Sequence, residues 1–102
     1  MNLPEYQVRV LPVAEDDLNE IVDYISVENP RAAQKLLDRI VKNLEYLTTH
    51  PYLGKIPDEI DFARMGYRFL VVENYLIFYT IEYNVVIVHR VIHGARNYLD
   101  LL

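Results

Sequence analysis

The stretch GYRFLVVENYLIFYTIEYNVVIVHRVI, residues 66–92, decides the fold. It contains three runs rich in β-branched and aromatic residues, which are separated by short polar breaks at Glu73-Asn74 and at Tyr83-Asn84. Breaks of this length between such runs are typical of tight hairpins, so the stretch predicts an antiparallel meander of three strands. Apolar and polar positions are mixed along each run, which indicates that one face of the sheet packs against the rest of the chain.

Two amphipathic helices are predicted upstream of the meander. In residues 14–26, apolar side chains recur with the spacing of one helix face, at Leu18, Ile21, Val22 and Ile25. Three carboxylates suit the positive end of the helix dipole in the first turn: Glu15, Asp16 and Asp17. The second helix is expected to have Asn29 as its N-cap and Pro30 at its first position. Residues 14–48 are therefore expected to form a helical hairpin.

A first strand and a loop complete the predicted order. The segment YQVRVL, residues 6–11, alternates apolar and polar residues and predicts a short strand that Pro12 ends. The segment HPYLGKIPDEID, residues 50–61, has two prolines and a glycine and predicts an ordered loop. The order β-α-α-β-β-β predicts a single α+β domain over residues 1–102, with the helical hairpin packed on a small antiparallel sheet.

Composition limits the classes of function. The 102 residues carry a net charge of −5 and no cysteine, so a disulfide framework and a thiolate metal site are both impossible. An acidic chain is a poor nucleic-acid binder, although residues 64–102, with three acids and four bases, leave room for a local basic patch. No apolar run approaches the roughly 20 residues of a membrane span. The N-terminal ten residues do not resemble a signal peptide, so we expect a cytoplasmic protein without membrane contact, metal or cofactor.

One set of side chains could supply acid–base or anion chemistry: Arg68, His89, Arg90, His93, Arg96 and Tyr98. A histidine can give or take a proton near neutral pH, and an arginine can hold a phosphate or a developing negative charge. RNA cleavage by attack of the 2′-hydroxyl needs such groups. However, no rigid motif joins them: the sequence has no glycine-rich phosphate loop, no Ser/His/Asp set and no HExxH motif. The residue types leave catalysis open without favouring it.

Two further patterns have ordinary explanations. Basic residues follow one side of the second helix, at Arg31, Lys35, Arg39 and Lys42. They lie opposite its apolar face, where an amphipathic helix carries solvated charges, so we prefer that interpretation to a phosphate contact. Nine tyrosines are many for this length, and several lie in or beside the meander. Their apolar rings with a polar tip suit either packing at the edge of the core or a groove that accepts a partner.

The C-terminal part of the chain resembles a known family. The segments YRFLVVENYLIFYTI (67–81) and VIHGARNY (91–98) are the most specific parts of a resemblance to the RelE/ParE family of bacterial type II toxins. The first strand, the helical hairpin and the prolyl loop occur in the matching order, so the resemblance covers nearly the whole chain. It implies the toxin of a plasmid-stabilising toxin–antitoxin module that arrests growth and is neutralised by a cognate antitoxin, through which alone the toxin would meet DNA.

The resemblance implies two alternative activities. RelE-like members cut mRNA in the ribosome, whereas ParE-like members bind DNA gyrase without chemistry of their own. The nuclease arginine of the family falls at Leu76, and the expected lysines fall near Tyr67 and Phe69, so the main cations of the nuclease are missing. The ending instead matches the ParE-like pattern. Inhibition of gyrase is therefore expected. The alternatives are a detoxified member that only binds antitoxin and a ribosome-dependent endoribonuclease with a rearranged catalytic set: Arg68, Arg90, His93, Arg96 and Tyr98.

A binding surface for the target or the antitoxin is implied as well. Its expected members are Arg68, Tyr79, Arg90, His93, Arg96 and Tyr98. Gly94 would let the chain turn out of the last strand, so that the tail presents polar contacts and its leucines present apolar ones. For His93 a structural hydrogen bond that holds the tail is the equal alternative.

Overall fold

A computed structural model describes residues 5–94 of the chain. The elements along the chain are β1 (Gln7–Val10), α1 (Pro12–Ser26), α2 (Pro30–Leu47), α3 (Ile60–Arg64), β2 (Arg68–Val72), β3 (Tyr75–Glu82) and β4 (Val85–His93). The predicted α+β class and element order are confirmed, with the addition of α3. This five-residue helix begins inside the segment that was predicted as loop. Such a single turn has too few residues to reveal a helical period in the sequence.

The helices begin where local chemistry favours a start. Asn29 caps α2, because its side-chain oxygen accepts a hydrogen bond from the Ala32 N–H at 3.1 Å, as predicted. Pro12 opens α1 two residues earlier than predicted, since proline at a first helical position lacks only an N–H that would have no partner within the helix. Within residues 5–94, no helix is long and apolar enough to cross a membrane.

The sheet is mixed and has the strand order β1-β4-β3-β2. The meander β2–β3–β4 is antiparallel, as predicted. The expectation of a wholly antiparallel sheet is wrong, because β1 lies parallel to β4, with Val8 opposite Val86. The helical hairpin carries the chain across one face before the meander begins, so the first and last strands run in the same direction.

The main core lies between the helices and one face of the sheet. Leu36 and Ile40 of α2 pack there with Ile77, Tyr79 and Val88, and all five are at most 2% exposed. The bulge opposite Phe78 and Tyr79 inserts His89 as an extra residue in β4. Phe78 lies outside this core cluster and is also buried, with its ring 5.7 Å from that of Phe69.

Candidate functional site

Arg90 of β4 is held by Asp17 of α1. Its Nε lies 2.7 Å from Oδ2 of Asp17 and its Nη2 lies 2.9 Å from Oδ1, which is a two-pronged ion pair. The backbone N–H of Val91 donates to the same carboxylate at 3.0 Å. The hydrogen bonds to Asp17 raise the pKa of the Arg90 guanidinium, which stays charged.

The end of β1 explains why this carboxylate is needed. β1 ends at Val10, opposite Val88, so within residues 5–94 the following part of β4 has β3 on one edge and no strand on the other. The first half of α1 lies there instead, and Asp17 accepts the Val91 N–H that a longer β1 would have bonded. A residue predicted to serve the helix dipole therefore joins the helix to the sheet.

A groove of about 490 Å³ opens beside this ion pair. Its α1 wall includes Glu20, Ile21 and Tyr24, and its sheet wall includes Tyr75 and His93. The Tyr75 and His93 rings meet edge to face, with centroids 5.3 Å apart. Burial is the main cause that raises the pKa of the Tyr75 phenol, with Glu73 as the second cause. The groove thus combines aromatic and aliphatic walls with carboxylates on the α1 side.

Tyr79 does not line this groove. It is fully buried, and its hydroxyl donates to the Pro51 carbonyl and accepts from the Gly54 N–H, both at 2.8 Å. Burial raises the pKa of the Tyr79 phenol. The expected contact between Tyr79 and a target is therefore not available on the described surface, because the side chain fastens the prolyl loop to the sheet from inside.

Arg68 holds the same loop from the adjacent strand. Its Nη1 donates to the carbonyl oxygens of Tyr52 at 3.2 Å and of Gly54 at 3.0 Å. Its guanidinium also lies 5.0 Å from the centroid of the Tyr52 ring, within the range of a cation–π contact. Only glycine fits at position 54, since a Cβ there would lie 2.6 Å from the Tyr79 hydroxyl oxygen.

The residues expected to form one surface are thus divided between two places. Arg90 and His93 border the groove, while Arg68 and Tyr79 hold the loop on the far side of β3. Arg96 and Tyr98 lie outside the described residues. The sequence did not predict that α1 forms a wall of the groove, because Glu20 and Tyr24 repeat with the period of an ordinary solvated helix face.

His89 is a further candidate for a functional residue, and it was not among the residues expected to form the binding surface. Its Nε2 lies 2.8 Å from the Thr80 hydroxyl, and its ring meets that of Tyr67 edge to face at 5.0 Å. Burial lowers the pKa of the His89 imidazole, and Glu82 opposes this effect. In the part of the chain that is described, no group of three or more His, Asp or Glu side chains is placed to hold a metal ion.

Comparisons with known proteins agree with this geometry. A family model described as the ParE toxin of the type II toxin–antitoxin system parDE matches residues 8–98. A chain of the chromosomal ParDE system from P. aeruginosa superposes with a TM-score of 0.72 at 20% identity, covering 89% of this chain and 98% of that one. A chain of the RelBE2 toxin–antitoxin complex from Mycobacterium tuberculosis gives 0.60 at 24% identity, covering 87% and 98%. These two likenesses establish the fold. No curated protein matches the sequence.

Proposed function

Because the chain belongs to the family of ParE toxins of type II toxin–antitoxin systems, we propose that it arrests growth by binding DNA gyrase, without chemistry of its own. In this proposal a cognate antitoxin neutralises the toxin, and the pair stabilises the plasmid or chromosomal segment that encodes it. DNA would be contacted only through the antitoxin.

The observation that carries the proposal is that the guanidinium groups of Arg68 and Arg90 are both bonded within the fold. An RNA-cleaving site needs positive groups turned toward the scissile phosphate. Here the Arg90 guanidinium is clamped by Asp17, and the Arg68 guanidinium is directed at loop carbonyls. Leu76, which stands where the nuclease arginine of the family falls, lies opposite Ile92 in the meander and brings no charge. Recognition of a protein target fits these residues better than RNA cleavage.

An antitoxin partner is favoured by exposed apolar side chains at two places. Tyr24 and Val27 project from the end of α1 beside the groove, and Leu53 and Val71 flank the outer edge of β2. Partner segments commonly bind such surfaces as a helix in a groove or as a strand along a sheet edge.

The alternative is a ribosome-dependent endoribonuclease, and His89 is the observation in its favour. Its pKa is lowered by burial, so its imidazole is neutral at neutral pH and can accept a proton. The sequence-predicted set for this activity was Arg68, Arg90, His93, Arg96 and Tyr98. In this alternative His89 would supply the general base.

The deciding experiment is a short induction of the chain in bacteria that lack the antitoxin, with incorporation of labelled thymidine and labelled methionine followed in parallel. We expect DNA synthesis to fall first, and purified gyrase to be inhibited by the purified chain. Collapse of translation before DNA synthesis would contradict the proposal.

The variant His89→Gln serves as the matched control, because glutamine can keep a hydrogen bond to Thr80 but cannot carry a proton as a base. Gyrase inhibition predicts that this variant arrests DNA synthesis as the parent does. The nuclease alternative predicts that the variant loses its effect on translation.

A further inference from the structure

The two helices of the hairpin carry opposite charges. α1 has five carboxylates and neither lysine nor arginine, whereas α2 has four cations and two carboxylates. The helices are joined by residues 27–29 and pack against each other, so their outer sides lie next to each other. The outer side of α1 presents an acid stripe, and that of α2 presents a base stripe. The acid stripe consists of Asp16, Glu20 and Asp23, and the base stripe of Arg31, Lys35, Arg39 and Lys42.

Both stripes are open to a partner. Every one of their side chains is exposed, because the buried sides of the helices, with Ala14 in α1 and Leu36 and Ile40 in α2, pack toward the sheet. Within residues 5–94, Arg39 of the base stripe lies 3.6 Å from Glu73. In the same part of the chain, no ion pair is formed by the other three cations of the base stripe or by the two aspartates of the acid stripe.

The two stripes also match in position along the hairpin. The helices are antiparallel neighbours, because the connection at residues 27–29 is short. Counted from this connection, Glu20 lies level with Lys35 to within one residue. The other two acids, Asp16 and Asp23, fall level with intervals between neighbouring cations of the base stripe. Each acid of α1 therefore has a cation of α2 at its own level along the helix axes.

A second copy of the chain can complement both stripes at once. A two-fold axis that runs parallel to the hairpin, above the helical layer, places α1 of one copy over α2 of the other and keeps the level of every residue. The acid stripe of each copy then faces the base stripe of its partner. Every contact is made twice, as in any isologous interface. Orientations that bring stripes of the same sign together are disfavoured by repulsion.

We propose that two copies of the chain associate through the outer sides of their helical hairpins, with acid stripe against base stripe. The chain itself carries the complement of each stripe at the matching level, which selects a second copy as the occupant. The net charge of −5 and the acid stripe beside the base stripe disfavour a nucleic acid at this face. Since each exposed ion pair contributes little and is screened by salt, the dimer is weak and depends on ionic strength.

Sedimentation velocity of the purified full-length chain tests the association. At about 0.02 M salt we expect a monomer–dimer equilibrium that depends on protein concentration. At about 0.5 M salt the dissociation constant should rise at least about tenfold, because exposed charges are then screened. A chain that stays monomeric at low salt up to about 1 mM protein would overturn the proposal, and so would a dimer that high salt leaves unchanged.

Two charge-reversed variants test the arrangement. Asp16→Lys/Asp23→Lys makes the stripe on α1 positive, and Lys35→Glu/Lys42→Glu makes the stripe on α2 negative. Each variant alone should associate at least about tenfold more weakly than the parent, because stripes of the same sign then face each other. An equimolar mixture should recover the parental affinity as a one-to-one pair, because one variant has two positive stripes and the other has two negative ones.

Lys55→Glu/Arg64→Glu is the matched control, because it makes the same change of net charge at exposed side chains of the prolyl loop and α3. It should associate as the parent does. Equal weakening in the control would overturn the proposal, since net charge and not the stripes would then govern association. A mixture of the two reversed variants that stays monomeric would overturn it too. Circular dichroism of each variant checks the fold, and the salt dependence of the parent tests the proposal without any substitution.

Discussion

At the β2 side of the sheet the prolyl loop is held through its uncharged backbone groups, whereas at the α1 side β4 is held by an ion pair. Tyr79 and Arg68 reach backbone groups of the loop at Pro51, Tyr52 and Gly54. Asp17 reaches both the Arg90 guanidinium and the Val91 N–H. The first arrangement fixes a loop from a fully buried hydroxyl, while the second leaves charged groups next to an open groove.

The largest effect is expected at the ion pair. Asp17→Ala removes the carboxylate that bonds the Nε and Nη2 atoms of Arg90, and it leaves the Val91 N–H without this acceptor. Removing one partner of a mostly buried pair typically costs about 3 kcal/mol or more, since the remaining charge loses the bonds that offset its desolvation. Urea unfolding should therefore show a fall of about 3 kcal/mol in the free energy of unfolding.

Asp17→Asn is the control for this prediction. Its amide oxygen can still accept the Val91 N–H, but it carries no charge, so its cost should be clearly smaller than that of Asp17→Ala. If the two variants were equally stable, the hydrogen bond from the Val91 N–H would contribute nothing beyond the ion pair.

The second-largest effect is expected at the β2 side of the sheet, where Tyr79 holds the prolyl loop. Tyr79→Phe keeps the ring but leaves the Pro51 carbonyl and the Gly54 N–H without their partner in a buried place. An unsatisfied buried polar group costs about 1–3 kcal/mol, so a loss of about 2 kcal/mol is expected in urea unfolding. Amide exchange at Gly54 should accelerate as well.

Tyr46→Phe is the matched change at an exposed tyrosine and should leave both readouts unchanged. A Tyr79→Phe variant with parental exchange at Gly54 would mean that the loop is held without the hydroxyl.

A pH dependence of the stability is expected from His89, which belongs neither to the ion pair nor to the attachment of the prolyl loop. Burial lowers its pKa below the ordinary 6.5, so below pH 6.5 the unfolded chain binds more protons at this residue than the folded chain. Stability from this group is complete above pH 6.5 and falls as the pH drops below it, with a slope of at most about 1.4 kcal/mol per pH unit.

Unfolding of the parent and of His89→Gln between pH 7.5 and 5 measures this contribution. The variant should lose less stability over that range. An NMR titration of the His89 ring in the folded parent should have its midpoint below 6.5, and a midpoint above that value would refute the assignment.

The sequence predicted the local features and missed the distant ones. The breaks at Glu73-Asn74 and Tyr83-Asn84 and the cap at Asn29 depend on neighbours within a few residues, so pattern and propensity suffice for them. The bond from Arg90 to Asp17 joins positions 73 residues apart, and the Tyr79 hydroxyl reaches back 28 residues to Pro51. Such contacts depend on how distant elements pack against one another, and this packing leaves no period in the sequence.

The smallest effect is expected at the turns that a local pattern did predict. Tyr83 has a left-handed backbone with φ of 55° and is 98% exposed, so its side chain contributes strain and no packing. Tyr83→Gly removes that strain, which is worth roughly 1–2 kcal/mol, but glycine loses more chain entropy on folding. A net gain of about 0.5 kcal/mol is expected in urea unfolding.

Glu73→Gly is the control for the turn, because Glu73 has nearly the same φ, 52°, but its carboxylate lies 3.6 Å from the Arg39 guanidinium. An exposed ion pair contributes about 0–1 kcal/mol, so its loss offsets the relief of strain. Glu73→Gly should therefore stabilise the chain less than Tyr83→Gly. The reverse order would mean that the Tyr83 ring has a stabilising contact within the folded chain.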